Sequence, residues 1–217
     1  MCFFLFYFKN LLENFEDRRF QLKRDLSNIA RYGIEAPRYA ERVWINPKDV
    51  NKCIVLKGIT LRKSSGLIMD MNDFEKKDLF DFRQVRSCFD HWCSGIPWED
   101  TLSYKLALRD VRNGKSVAGC QTVQELEDRY NKLDILFETV GTEGRLKTRK
   151  EIIPQNIREA GGIQISLDKT GNLLLNQGGG FHRFSIALIR ELKIIPAQIG
   201  IVEKEAIPLL AKYRSER

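Results

Sequence analysis

The sequence predicts an α+β domain built on a small mixed sheet. Apolar residues recur at helical spacing between residues 82 and 133. Segments 163–167 and 197–201 alternate in the two-residue period of strands, and Asp168-Lys169-Thr170-Gly171 joins the first of these to Leu173–Leu175 as a hairpin turn would. The composition agrees. Hydrophobic residues are 43% of the 217 and charged residues 30%, with a mean hydropathy of −0.34. These values exclude a disordered, collagenous or coiled-coil chain.

The elements follow in chain order. Leu5, Phe8, Leu12, Phe15, Leu22, Leu26 and Ile29 mark a helix over about 5–30. Lys9, Arg18, Arg19, Lys23 and Arg24 make its polar side basic. That side reads either as the solvated face of a docked helix or as a surface for membrane or nucleic acid. Phe3, Phe4 and Phe6 offer an apolar partner surface. Val43-Trp44-Ile45 reads as a strand, Asn46-Pro47 as a cap and first helical turn, and Cys53–Leu56 as a second strand. The polar stretch 60–80 reads as loop. Phe82, Val85, Phe89 and Trp92 then form a helical stripe stopped by Gly95. Pro97 opens another helix with Leu102, Leu106 and Val111 inward and Gly114 at its end. Thr122 and Glu125 make a capping box ahead of the stripe Val123, Leu126, Tyr130 and Leu133. Segment 141–158 turns to Gly, Thr, Arg and Lys. Its cluster Arg145, Lys147, Arg149 and Lys150 reads as a solvated linker or as an anion-contacting loop. After the hairpin, Phe184, Ala187, Leu188 and Leu192 define a helix that Pro196 breaks, and Glu203–Tyr213 a last helix.

Charge and cysteine usage bound the function. Thirty-six Lys and Arg against 29 Asp and Glu leave +7, an excess that permits a phosphate-bearing partner without requiring one. The five cysteines show no CxxC spacing and read as reduced thiols of a cytoplasmic protein. Cys88, His91 and Cys93 lie close in sequence but lack the second ligand pair of a zinc site. The longest apolar run, Cys2–Phe8, is far short of the ~20 residues of a membrane span, and its flanks do not read as a signal peptide.

One segment carries chemistry. Gly178-Gly179-Gly180-Phe181-His182-Arg183 follows a strand and opens a helix. Three glycines clear side chains from the approach to the helix terminus. The first-turn N–H groups and the helix dipole then favour an anion, phosphate above all. Arg183 can fork onto two phosphate oxygens, and His182 can donate to phosphate or move a proton near neutral pH. The segment is neither a GxxxxGK[ST] loop nor a GxGxxG turn of a βαβ unit. A plain glycine-rich turn is the alternative.

Gly179-Gly180-Phe181-His182-Arg183, the apolar helix after it and Ile195-Pro196-Ala197 downstream resemble the ParB/sulfiredoxin superfamily. Sulfiredoxins carry Gly-Gly-Cys-His-Arg at this place, and ParB-type proteins a related Gly-x-x-Arg box. Val43-Trp44-Ile45-Asn46-Pro47 is similar to the superfamily's first strand and proline turn. The likeness covers 160–205 and, loosely, 43–58. It implies a small mixed sheet of that type with helices packed on it, a helical extension over 1–40, and a domain over 41–217 with a helical insertion at about 60–150. It implies binding of ATP or CTP with Mg2+, with Gly178, Gly179, Gly180, Phe181, His182 and Arg183 as phosphate contacts, Arg145 and Lys147 reaching the same cleft, and His182 and Arg183 in catalytic roles. A phosphotransferase or NTPase acting on a small hydroxylated substrate fits it. A nucleic-acid-binding module, with a nuclease as one form of it, is the alternative. Glu159, Glu143 and Asp168 are the candidate bases. Phe181 stands where sulfiredoxins have their catalytic cysteine, so sulfinic acid reduction by that route is excluded. Too few residues follow the last strand for a helix-turn-helix, so partition-site binding is not expected.

Overall fold

The computed structural model describes the backbone of residues 2–215 and the side chains from Glu16 onward. The side chains of Phe3, Phe4, Leu5, Phe6, Phe8, Lys9, Leu12 and Phe15, named above, lie outside the described residues. In chain order the elements are α1 (Cys2–Tyr32), β1 (Arg42–Ile45), β2 (Val50–Ile54), α2 (Leu61–Ser64), β3 (Leu67–Ile68), β4 (Lys76–Asp78), α3 (Arg83–Ser94), α4 (Leu102–Arg112), α5 (Val123–Glu143), α6 (Arg149–Ile152), β5 (Gln164–Leu167), β6 (Leu173–Asn176), α7 (Phe181–Ile189) and β7 (Ile195–Val202). Short 3₁₀ turns connect several of them, and a 3₁₀ helix, Lys204–Tyr213, ends the described chain.

The α+β expectation holds. One mixed sheet runs β1-β7-β5-β6-β2-β4, with β3 also on β7. Pairs β7–β5 and β6–β2 are parallel, and β1–β7, β5–β6 and β2–β4 are antiparallel. The main core lies between the sheet and α3, α5 and α7. It includes Phe82, Val85, Phe137, Val140, Ile165, Leu175, Phe184 and Ile199. A second cluster, including Cys88, Trp98, Tyr104, Leu126, Tyr130 and Leu133, holds α3, α4 and the outer half of α5 together.

Most sequence signals lie where they were read. Asn46 caps Pro47–Asp49 by accepting from the Lys48 N–H at 2.9 Å, Gly95 ends α3 at φ 71°, and Thr122–Glu125 is a true capping box.

Six readings need correction. Leu22 and Leu26 belong to the apolar stripe that marks α1, yet they are 60% and 65% exposed. The helix docks instead by polar groups on its other side. Asp25 accepts from Tyr39 N–H and pairs with Arg158, and Asn28 donates to Pro37 and Gly66 carbonyls. Segment 60–80 is not loop throughout; it contains α2, β3 and β4, too short to show periodicity. Leu102 is 51% exposed, and α4 buries Ser103, Tyr104, Ala107 and Val111 instead. The second strand begins at Val50 rather than Cys53. Pro196 lies inside β7, beyond a helix that has already ended at Ile189.

The alternation over 163–167 predicts a half-buried strand, but β5 is buried on both faces. Its polar residues are satisfied by a network across the sheet. Ser166 Oγ donates to Asn176 Oδ1 (2.6 Å) and accepts from Ile201 N–H (2.8 Å), and Gln164 Oε1 accepts from Asn176 Nδ2 (2.9 Å) and Ser64 Oγ (3.0 Å).

Candidate anion site at the start of helix α7

The glycine turn is fixed by backbone bonds on three sides. Gln177 N–H donates to Ile54 of β2, Gly179 N–H to Asn176 of β6, and Gly179 O accepts from Gln164 of β5. Gly180 caps α7 at φ 91°, in the left-handed region. A Cβ there would lie 3.1 Å from the Ile163 Cα. At Gly179 it would meet the Asn176 carbonyl oxygen at 2.9 Å. Glycine is required at both positions because neighbouring backbone approaches closely.

The first helical bond is Phe184 N–H to Gly180 O. Among the described residues, the N–H groups of Gly180, Phe181, His182 and Arg183 have no acceptor. These are the unsatisfied donors of a helix start. Phe181 does not block them. Its ring is buried, 5.0 Å from that of Phe82 in the main core.

A cavity of about 540 Å³ opens at this terminus. Gly180, His182 and Arg183 line one wall; Arg129, Lys132, Leu133 and Leu136 of α5 line the other, with Glu125 and Asp128 nearby and the 118–120 turn at the rim. Helix α5 therefore forms the far wall of the cleft, and Arg129 and Lys132 are functional candidates that the sequence reading missed. Their signal was present as two cations flanking the Tyr130–Leu133 stripe, but only the fold puts them opposite residue 182.

Two side-chain atoms at the helix start are buried with no hydrogen-bond partner, His182 Nε2 and Arg183 Nη1. The Arg183 Nη2 donates to the Lys147 carbonyl at 2.8 Å, which fixes the guanidinium. Burial, then the nearby Arg149 charge, lowers Arg183 from its ordinary value while Glu159 opposes them. It remains a cation.

Burial, with the Arg129 charge adding to it, pushes His182 down to about 4. At neutral pH its imidazole is therefore uncharged in the folded chain, so proton transfer near pH 7 is not its resting behaviour. An unfolded chain takes up that proton near pH 6.5, so protons favour unfolding between pH 6.5 and 4. Stability is full above that window and falls as pH drops through it. Between pH 7 and 5 the loss from this group is about 2 kcal/mol. Urea unfolding at both pH values should show that loss, and His182→Gln should reduce it by that amount.

The other sequence candidates are placed as follows. Gly178, Gly179 and Phe181 shape the turn without lining the cavity. Lys147 is exposed and pairs with Glu143 at 2.7 Å; its contribution is the carbonyl that holds Arg183. Arg145 pairs with Glu151 at 2.8 Å and lines a separate recess with Trp44 and Arg190. Neither lines the cavity. Among the candidate bases, Glu143 is committed to Lys147, and Asp168 caps the hairpin turn through Thr170 and Asn172. Glu159 is fully buried beside Arg149 and Arg183.

The Cys88–His91–Cys93 grouping disperses. Cys88 is buried, Cys93 is exposed, and His91 bonds the Ile96 carbonyl and Asp134. Among the described residues no cluster of three or more His, Cys, Asp or Glu is placed to hold a metal ion, and no helix is long and apolar enough to cross a membrane.

No family model, curated protein or solved structure matches this chain. The geometry of the site therefore carries the functional reading.

Proposed function

We propose that the protein binds a phosphate-bearing small molecule, first of all a nucleoside triphosphate, at the start of α7, and acts as a phosphotransferase or NTPase. The observation that carries this reading is the set of unbonded N–H groups at the start of α7, with Gly180, His182 and Arg183 lining a cavity large enough for a nucleotide. The resemblance to the ParB/sulfiredoxin superfamily supports the same reading through Gly179, Gly180, His182 and Arg183.

The chain's own residues divide the work. The α7 amides hold phosphate oxygens, with the Arg183 guanidinium charge beside them. His182 lines the same wall as an uncharged group. Arg129 and Lys132 neutralise charge across the cavity, and Leu133 and Leu136 offer apolar surface to the rest of the ligand. ATP or CTP would fit these groups. Mg2+ would arrive on the phosphates, with Asp128 the cavity carboxylate able to meet it. Phosphoryl transfer asks a protein mainly for positioning and charge neutralisation, which this set supplies.

Thermal shift tests the reading. ATP or CTP with Mg2+ at a hundred times its Kd should stabilise the fold by about 2.7 kcal/mol, and Arg183→Ala should remove the shift while leaving a cooperative transition. A shift that survives Arg183→Ala counts against the site.

A nucleic-acid-binding module is the second reading. Arg18, Arg19 and Lys23 stand exposed on α1 and favour it. It requires a gel shift on DNA or RNA that disappears above roughly 200 mM salt.

A further inference from the structure

Among the described residues, helix α1 is fastened to the domain along one side. Asp25 and Asn28 are buried there and bond to Tyr39, Arg158, Pro37 and Gly66. Asp17 pairs with Arg62, and Arg24 donates to the Lys63 carbonyl. The opposite side carries Leu22 and Leu26, both exposed. The helix backbone runs back to Cys2, and the sequence continues the Leu22–Leu26 line at three- and four-residue spacing with Phe15, Leu11, Phe8 and Phe4. Arg18 and Arg19 interrupt the line, at the two positions between Phe15 and Leu22 that share its face.

The charge on this helix is one-sided. Over residues 16–32, Arg18, Arg19, Lys23 and Arg31 are exposed against a single exposed carboxylate, Glu16. Among the described residues none of these cations has a carboxylate partner. Lys9 and Glu13, nearer the start, cancel in the charge count.

The arginines decide what covers this face. A second copy of the chain would have to bury Arg18 and Arg19 inside an apolar seam, with no carboxylate on that line to meet them. A nucleic acid would pair with the cations but would leave Leu22 and Leu26 against phosphate. An anionic lipid surface satisfies both groups. The leucines enter the acyl boundary, and the arginines reach back to the headgroup phosphates along their own apolar stems.

We propose that the outer face of α1 is a lipid-binding surface, on which the helix lies in the plane of an anionic membrane while its inner face holds the domain. This does not depend on the anion site at α7.

The test is co-sedimentation of the whole chain with vesicles of phosphatidylcholine alone and of phosphatidylcholine with about one-third phosphatidylserine. At low salt the chain should bind the anionic vesicles, and the neutral ones at least about tenfold more weakly. Arg18→Gln, Arg19→Gln and Lys23→Gln should each weaken anionic binding about fivefold. Leu22→Ser with Leu26→Ser should weaken it about a hundredfold. Both leucines are exposed, so that double variant should keep wild-type urea unfolding, which separates lost lipid contact from misfolding.

Equal binding to both vesicles, or wild-type binding by the folded double variant, overturns the proposal. No change in any of the three cation variants overturns it as well, whether or not the double variant folds. A dimer by light scattering that Leu22→Ser with Leu26→Ser turns into a monomer assigns the face to a second copy and overturns it. A chain that binds neither vesicle also overturns it, and if that chain shifts duplex DNA the face belongs to the nucleic-acid reading.

Discussion

Gly180→Ala should unfold at markedly lower urea concentration and should lose any nucleotide-induced thermal shift. Gly180 sits at φ 91°, where a side chain costs roughly 1–2 kcal/mol. The added methyl would also press on Ile163, 3.1 Å away at its Cα. Ile163 precedes β5 and is fully buried, so it cannot move aside cheaply. Such overpacking costs roughly 1–3 kcal/mol more, and about 2–4 kcal/mol in all is expected. Relief of the clash would turn the first-turn N–H groups away from the cavity, which links stability to binding. Gly178→Ala is the control. It also has positive φ, 78°, but its Cβ would meet nothing nearer than Leu61 Cδ1 at 3.9 Å. It should cost about 1 kcal/mol and keep the ligand shift. A Gly180→Ala chain with a wild-type nucleotide response would sink the assignment of those amides.

Gly200→Ala should be the most damaging single methyl in the sheet. Gly200 lies within β7, and its Cβ would stand 2.5 Å from Asn176 Nδ2 and 2.8 Å from Ser166 Oγ. Both residues are fully buried, and each is bonded to the other and to a further partner. Asn176 must yield, which leaves its own Oδ1 and Nδ2 without Ser166 Oγ and Gln164 Oε1, while those two keep Ile201 N–H and Ser64 Oγ. Each buried polar group so orphaned costs about 1–3 kcal/mol, so a loss of about 3–5 kcal/mol is expected in urea unfolding. The damage also reaches the site, because the Asn176 carbonyl receives the Gly179 N–H at 2.8 Å. Asn176→Ser opens the space that the methyl needs. The double variant should therefore lose less than the two single variants together, and strict additivity would reject the clash as the cause.

The sequence made the ends of elements and the glycine turn legible, because local chemistry decides them. Asn46, Gly95, Thr122 with Glu125, and Asp168 each do in the fold what their type does in isolation. Faces were less legible. Leu22 and Leu26 read as core, but α1 docks through Asp25 and Asn28, whose partners are Tyr39, Arg158, Pro37 and Gly66. Periodicity measures apolarity and cannot register a helix held by buried hydrogen bonds. Gln164, Ser166 and Asn176 misled in the same way, since a polar residue buried in a satisfied network looks solvent-facing in sequence. In the site, Gly180, His182 and Arg183 were legible because they are contiguous. Arg129 and Lys132 reach the same cavity only through the packing of α5, and Arg145 and Lys147, of like composition, face elsewhere.

α5 belongs to two hydrophobic clusters, its outer half to the one around Tyr130 and its inner half to the one around Phe137. The cavity is thus walled by separate pieces of chain, the glycine turn with its backbone N–H groups and the α5 face that carries Arg129, Lys132, Leu133 and Leu136. Substitutions at Arg129 and Lys132 can reshape one wall of the cavity while the buried contacts that fix the turn at residue 180 stay as they are, so the two walls can vary independently.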